Sequence, residues 1–376
     1  MECPYCHTSM RLTGEVAAPV APASQPVETP DFSPAEIPSA PVKKRSGCLL
    51  VGLVFLALVF IVTLVVLGTT QQAVPTLVFG PTATPTMTSA PTPTATPSFA
   101  TQLLAFGSGA AGPGQLDEPE HIGVDGQKNI YVGNTGNGGW DTNINIFDAT
   151  GNFTRTLNPG SESALQDMGV APDGKLYVVY NDKVLRLDAH GKGTALAYAG
   201  SDPHASIFDH LAVGPDGSVV ASNDLNDIVR FDPQGKVDLV IKQPFPTVLG
   251  VTPGFVYLAM DNKGNIYALG TFTGTVLEYD PQGNNIARFG HPAGRNASSM
   301  SPGLIELDPT GGLAVDSYGR VYVSDFEGVM VFGPDGNYLN YIPESSAPFG
   351  LAFDANDNLY IVTNKPEVIK MSILEP

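Results

Sequence analysis

The sequence predicts an all-β domain, a six-bladed β-propeller of four-stranded antiparallel blades, over residues 101–376. Two observations lead to this fold. A motif made of an apolar run, a turn and a second apolar run occurs six times, with copies that start at Ile122, Met168, Leu211, Leu258, Leu313 and Leu351. The starts lie 38 to 55 residues apart, which is close to the length of one propeller blade.

The copy at residues 312–342, GLAVDSYGRVYVSDFEGVMVFGPDGNYLNYI, shows how each repeat divides into strands. Four apolar runs alternate with turn residues, which is typical of an antiparallel meander. Asp-Gly pairs at 173–174, 216–217 and 335–336 favour tight hairpins, because Asp hydrogen-bonds the local backbone and Gly adopts a positive φ. A tyrosine recurs on the second strand, and we expect these rings to pack between blades: Tyr131, Tyr177, Tyr267, Tyr322 and Tyr360.

These residues resemble the repeats of the NHL-repeat family of six-bladed propellers, whose copies read G-[LI]-A-V-D, G-N-[IL]-Y-V-x-D and I-x-x-F-D-x-x-G. The sequences at 313–316 and 321–325 match this pattern best, whereas the third repeat has Val220 in place of the tyrosine. The resemblance covers residues 102–374 and implies the propeller fold. Related propellers include calcium-dependent lactonases and lyases, which hold their ion in the central channel.

The ring of blades needs a closing strand. An open ring leaves two unpaired sheet edges, and propellers avoid this by completing the last blade with a strand from the other terminus. Residues 102–106 look like the fourth strand that precedes other repeats. We therefore expect Gln102–Phe106 to pair with the strand near Val368–Met371, so that five blades are complete and one is shared between N- and C-terminal strands.

The net charge of −18 argues against nucleic acid as a partner. Residues 101–376 contain 15 Lys and Arg against 32 Asp and Glu, so the predicted propeller carries most of this charge. Such a field repels a phosphate backbone.

Residues 1–13 resemble half of a zinc ribbon. Cys3 and Cys6 have the two-residue spacing that lets two thiolates reach one tetrahedral zinc ion, but no second pair follows. Two interpretations remain open. The segment is either a degenerate remnant, or a site where zinc is shared between two chains, which would form a dimer through the N-terminal segment.

Residues 14–47 are rich in Pro and Ala and predict a disordered linker that ends in the basic trio Lys43, Lys44 and Arg45. Residues 48–68 are almost wholly apolar and long enough for one transmembrane helix. The apolar run exceeds the usual signal-peptide core, so we expect it to be retained.

The distribution of charge predicts the orientation of this helix. No charged residue occurs between Ser46 and Leu116, so the excess of Lys and Arg lies on the amino-terminal side. The sequence therefore predicts a single-pass membrane protein with a cytoplasmic N-terminus and an extracytoplasmic propeller. Residues 69–100 are rich in Thr and Pro and predict an extended stalk between the two.

The loops between second and third strands, and between blades, gather on one face of a propeller. There they predict a ligand-binding surface of acidic, amide and aromatic side chains: Trp140, Asp141, Asn223, Asp224, Phe272, Asp325, Phe326 and Glu327. Trp140 lies in a Gly/Asn-rich insertion, where it would either anchor a ligand or pack over a blade edge. Asp325 also fits a purely structural role in the following turn.

These features favour a membrane-anchored binding or sensing module for an extracellular or cell-wall protein, peptide or glycan. No nucleophile elbow, phosphate loop or zincin motif is present, and no catalytic residue is assigned. The alternative is a divalent-cation-dependent hydrolase or lyase with calcium in the channel. For that alternative, the side chains expected to enter the channel are those of Glu120, His121, Asp167, Asp209 and His210.

Overall fold

The computed structural model describes residues 98–109, 112–136, 142–160, 163–200, 202–292, 304–305 and 311–376. The predicted zinc-ribbon-like segment with Cys3 and Cys6, the linker at 14–47 and the transmembrane helix at 48–68 lie outside these residues, as does the stalk up to residue 97. No helix within the described ranges has the length and apolar character needed to cross a membrane.

The described residues form six four-stranded antiparallel sheets, as the repeats predict. The first three blades comprise β2 (Pro119–Val124), β3 (Ile130–Asn134), β4 (Asn143–Phe147) and β5 (Phe153–Leu157); β6 (Leu165–Val170), β7 (Leu176–Tyr180), β8 (Lys183–Leu187) and β9 (Gly193–Ala195); and β10 (Phe208–Val213), β11 (Val219–Asn223), β12 (Ile228–Phe231) and β13 (Val237–Ile241).

The next two blades comprise β14 (Val256–Met260), β15 (Ile266–Gly270), β16 (Thr275–Tyr279) and β17 (Asn285–Phe289); and β20 (Leu313–Val315), β21 (Val321–Ser324), β22 (Gly328–Phe332) and β23 (Tyr338–Pro343). Three short elements lie in connections between blades. They are a 3₁₀ turn at Pro203–Ser206, the helix α1 (Pro244–Leu249), and a parallel pair of β18 (His291–Pro292) with β19 (Leu304–Ile305).

The sixth blade is shared between the two ends of the propeller. It consists of β24 (Pro348–Phe353), β25 (Asn358–Thr363), β26 (Glu367–Ile373) and β1 (Ala100–Phe106), with β1 as the outer strand. In the register, Gln102 is opposite Met371 and Phe106 is opposite Val368. The predicted closure of the ring is confirmed.

The aspartate that ends the first strand of a repeat shapes the turn after it. In the fifth blade, Asp316 Oδ1 accepts hydrogen bonds from the backbone N–H groups of Tyr318 and Arg320, while Tyr322 donates its hydroxyl to Oδ2 over 3.0 Å. The same aspartate–tyrosine pair recurs in blades one, four and six. The second and third blades have Ala171 and Gly214 at this position. These aspartates therefore stabilise the hairpin between the first and second strands, so their role in the repeat is structural.

Six apolar clusters make up the core, one at each interface between neighbouring blades. The recurrent tyrosines lie within this core, at most 6% exposed, as predicted. The Asp-Gly turns also form as predicted, because Gly174, Gly217 and Gly336 all have φ near +80°.

Candidate functional site

A cavity of about 650 Å³ opens between the first strands of all six blades. These strands start on one face of the propeller, at residues 119, 165, 208, 256, 313 and 348. The antiparallel hairpins bring the loops between second and third strands, and the connections between blades, back to the same face. We call this face, defined by those first-strand starts and loops, the mouth face.

β-Bulges position three polar side chains at the cavity. The register skips one residue near the start of β2, β6 and β10, so Glu120, Gln166 and Asp209 have no opposite residue on the second strand. A bulge turns the extra side chain away from the regular pleat and is common next to functional sites. All three residues line the cavity.

The residues after these bulges form an array of one carboxylate between two imidazoles. Nδ1 of His121 lies 3.5 Å from Oδ1 of Asp167, and Nδ1 of His210 lies 3.5 Å from Oδ2. The Asp167 carboxylate also accepts hydrogen bonds from the backbone N–H groups of Met168 and Leu211, over 2.7 and 3.0 Å. Since Asp167 is on β6 and Leu211 is on β10, this carboxylate joins two blades.

The array favours an ionised carboxylate and a protonated imidazole. Burial alone would lower the pKa of His121, but Asp167, Glu120 and the Leu165 carbonyl raise this pKa above its ordinary value. Burial would likewise raise the pKa of Asp167, but His121 and His210 hold it well below its usual range. The Asp167 side chain is only 17% exposed, so solvent screens this ion pair weakly.

Two further carboxylates stand beside the array. Burial, together with the nearby Asp224 and Asp182, raises the pKa of Asp209 to about 6. The Glu120 side chain is 44% exposed, and its Oε2 lies 3.9 Å from Nε2 of His121. Unlike Asp167, neither carboxylate accepts a hydrogen bond from another residue that the structure describes.

The opposite part of the cavity wall is apolar. Phe255 and Tyr257 line it on the fourth-blade side, and the Tyr257 ring lies 4.0 Å from the ring of His210. Phe255 is 56% exposed, which is unusual for a large aromatic side chain. Tyr257 also packs closely on Gly311, where a Cβ atom would lie 2.8 Å from the ring.

The described residues do not fit the calcium site expected for the hydrolase or lyase alternative. None of their His, Cys, Asp and Glu side chains form a group of three arranged to hold a metal ion. Asp167 is already occupied by two backbone N–H groups and two imidazoles.

Of the aromatic residues predicted for the binding surface, the structure describes Phe272 and Phe326 but not Trp140. Phe272 and Phe326 lie in loops between second and third strands, are 64% and 54% exposed, and therefore share the mouth face. Phe272 donates its backbone N–H to the Pro253 carbonyl over 2.7 Å, and the neighbouring Thr271 N–H donates to the Phe255 carbonyl, so the two loops lie side by side. Trp140 and Asp141 lie outside the described residues.

The predicted polar residues divide into exposed and buried ones. Asp224 is half exposed and pairs with His204, and the Glu327 backbone N–H donates to Asp325 over 2.9 Å. Asn223 is 2% exposed and its side chain binds the turn backbone at Ala205 and Asp227. Asp325 is fully buried and accepts the Tyr341 hydroxyl. A ligand-binding role for these four residues stays a prediction.

The repeat pattern does not reveal several of the residues that line the cavity. Phe255 and Tyr257 precede the recognised fourth motif, where alternation alone does not show which side chains face the channel. The bulges at Glu120, Gln166 and Asp209 are also invisible to a pattern of period two. Their signal is the short polar pair that precedes three successive motifs, at 120–121, 166–167 and 209–210.

No protein-family model and no curated protein sequence matches the chain. Among solved structures, a gluconolactonase from Xanthomonas campestris is similar over 69% of this chain and 87% of that chain, with 17% identity and a TM-score of 0.51. A second protein, of suspected gluconolactonase activity, matches with 15% identity and a TM-score of 0.53 over 74% and 94% of the two chains. A protein of unknown function from Bacteroides thetaiotaomicron matches with 15% identity and a TM-score of 0.53 over 69% and 70%.

Identities this low show the fold alone. The comparisons therefore support a six-bladed propeller and are consistent with a binding module and with an enzyme alike. The likeness to the NHL-repeat family stays a resemblance.

Proposed function

We propose that this propeller is the binding module of a membrane-anchored protein and that it takes an extracytoplasmic protein, peptide or glycan on the mouth face. The cavity with a polar array on one side and exposed aromatic rings on the other carries this proposal. Binding sites commonly combine a concave apolar surface with a few fixed polar groups. Phe255, Phe272 and Phe326 supply exposed aromatic surface, and aromatic side chains lose little conformational entropy on binding because they have only two rotatable side-chain bonds.

The anchoring part of the proposal rests on the sequence. The apolar run at 48–68 would hold the protein in the membrane, and the Thr/Pro-rich stalk at 69–100 would hold the propeller away from it. A zinc ion shared through Cys3 and Cys6 would pair two such chains on the cytoplasmic side.

Arrays of peptides and glycans probed with the detergent-solubilised full-length protein test this function. We expect retention of a defined subset of ligands, and at least about tenfold weaker retention for Phe272→Ala and Phe326→Ala. Both variants should keep nearly wild-type stability, because exposed side chains contribute little to folding. Ile286→Ala is the matched control, since Ile286 is 53% exposed but lies on the outer strand β17. Retention that both phenylalanine variants leave unchanged would contradict the proposal.

A second candidate function rests on the His121–Asp167–His210 array. The Asp209 carboxyl group, whose pKa is raised to about 6, lies beside the two imidazoles held by Asp167 and is able to exchange a proton near neutral pH. A hydrolase or lyase acting in the channel would use this group. Turnover of esters or lactones by the purified protein, abolished by His210→Ala, would support this candidate.

A further inference from the structure

The acidic and basic side chains that line the cavity are carboxylates and imidazoles. They are Glu120, Asp167 and Asp209, together with the imidazoles of His121 and His210. Among the described residues, no Lys or Arg side chain lines the cavity. An anionic ligand would find no fixed positive partner other than a protonated imidazole, and the surrounding propeller repels it.

The three carboxylates differ in their capacity to bind a ligand. Asp167 is occupied by backbone N–H groups and imidazoles, so it positions the array. Glu120 and Asp209 project from bulges and receive no hydrogen bond from the described residues. Glu120 is 44% exposed and lies within ion-pair range of His121, so Asp209 is the carboxylate that burial penalises without a compensating donor. A cationic ligand with N–H donors would relieve this cost.

His210 is a second, independent sign of a ligand. It is 9% exposed, and its Nδ1 atom is buried without a hydrogen bond. The atom lies 3.5 Å from Asp167, within ion-pair range but without hydrogen-bond geometry. Buried polar atoms of this kind are few in native proteins, and each has a specific reason. Here the atom belongs to a side chain that lines the cavity between Asp209 and the aromatic wall, which is formed by Phe255 and Tyr257.

The aromatic wall extends this chemistry. Phe255 and Tyr257 lie next to His210, with ring centroids 6.0 and 4.0 Å away. Aromatic faces attract organic cations, and they also bury an apolar ligand body. The cavity is therefore acidic on the side of blades one to three and aromatic on the side of blade four.

From this arrangement we infer that the cavity binds a primary ammonium group carried on an apolar body, such as the free amino terminus of a peptide that begins with an apolar residue or a free arylalkylamine. The ammonium group lies at Asp209, next to His210, and the apolar body lies against Phe255 and Tyr257. The inference rests on the proposed binding function and names the ligand class of that site.

Titration calorimetry on the detergent-solubilised full-length protein tests it with four small probes. They are 2-phenylethylamine, phenylalanyl-glycinamide, the N-acetylated form of that dipeptide amide, and 3-phenylpropionate. We expect the two ammonium probes to bind, acetylation to weaken binding at least about tenfold, and the anion to give no binding heat. A dipeptide that binds at least tenfold tighter than 2-phenylethylamine identifies peptide termini as the source, and the reverse order identifies free amines.

Charge-removing variants locate the ammonium group. Asp209→Asn should weaken the ammonium probes by roughly tenfold, while Asp173→Asn removes one charge on the opposite face and should leave binding unchanged. Thermal unfolding of each variant shows that it is folded.

Equal binding of the acetylated and free dipeptides, full affinity in Asp209→Asn, or no binding of either ammonium probe at millimolar concentration would overturn the inference. In each of those cases the binding function itself stands if the arrays still retain ligands through Phe272 and Phe326. Loss of array retention would instead remove the function on which the inference rests.

Discussion

Asp316 and Arg320 form an ion pair that is almost completely removed from water. Their side chains are 0% and 3% exposed, and the Asp316 carboxylate also accepts the Tyr322 hydroxyl. Arg320 donates a hydrogen bond from Nη1 to the Leu374 carbonyl over 2.7 Å, so the pair links the fifth blade to the residue that follows β26. Removing one partner of a buried pair leaves an uncompensated charge inside the protein.

We therefore expect Asp316→Ala to lower the free energy of unfolding by about 3–5 kcal/mol. Asp335→Ala is the matched control, because Asp335 shapes an exposed turn and should cost about 1 kcal/mol or less. Urea denaturation of both variants measures the difference, and equal costs would show that Arg320 does not depend on its carboxylate.

Glu344 gives the propeller a pH-dependent weakness. Burial, together with Glu367, raises its pKa to about 7, and its Oε1 atom is buried without a hydrogen bond. The folded state thus holds this proton more tightly than the unfolded chain does. The contribution to stability is fully present below the unfolded pKa, near 4.5, and is lost as pH rises through about 7.

Glu344→Gln removes this titration. At pH 8 we expect the variant to be more stable than the wild type by about 1–3 kcal/mol, and near pH 4 the two should be similar. Chemical denaturation at the two pH values tests this, with Glu375→Gln at the exposed C-terminus as the control. A constant difference across pH would show that Glu344 does not titrate in this range.

We expect loss of the closing strand β1 to destabilise the propeller. Six residue pairs join it to β26, and its removal would expose the edge of β26. Deleting residues 101–107 should lower the melting temperature by roughly 10 °C or more, or cause aggregation. Deleting residues 81–97 should leave melting unchanged, and equal melting of the two deletions would contradict this role of β1.

The strands were more predictable than the side chains that line the cavity. Turn residues such as Asp335 and Gly336, and the period of two in the apolar runs, determine strand number and hairpin positions locally, so the blades and the closure at Phe106 follow from sequence. The side chain of Asp209 depends on a bulge, which adds one residue without changing composition. Phe255 depends on how two blades pack. Such tertiary effects leave no trace in the period of the apolar runs. For Asp209 the polar pair at 209–210, at the start of its strand, is the signal that places it among the expected channel residues, and it does line the cavity.

The membrane topology of the whole protein stays a prediction. The basic trio at 43–45 and the uncharged stretch that follows favour an extracytoplasmic propeller. Protease added to intact cells should cut within residues 69–100 and release the propeller, because a compact β-domain resists cleavage far better than a Thr/Pro-rich stalk. A propeller that is released only after lysis would show that the orientation is reversed.

The closure of the ring also imposes an order on synthesis. Thr101 and Ser372 meet in the shared blade although they lie 271 positions apart. At about 5–20 residues per second, tens of seconds pass between the emergence of β1 from the ribosome and that of its partner β26. During this interval β1 and the unfinished blades expose pairing edges. The nascent propeller is therefore exposed to wrong pairing until β26 has emerged.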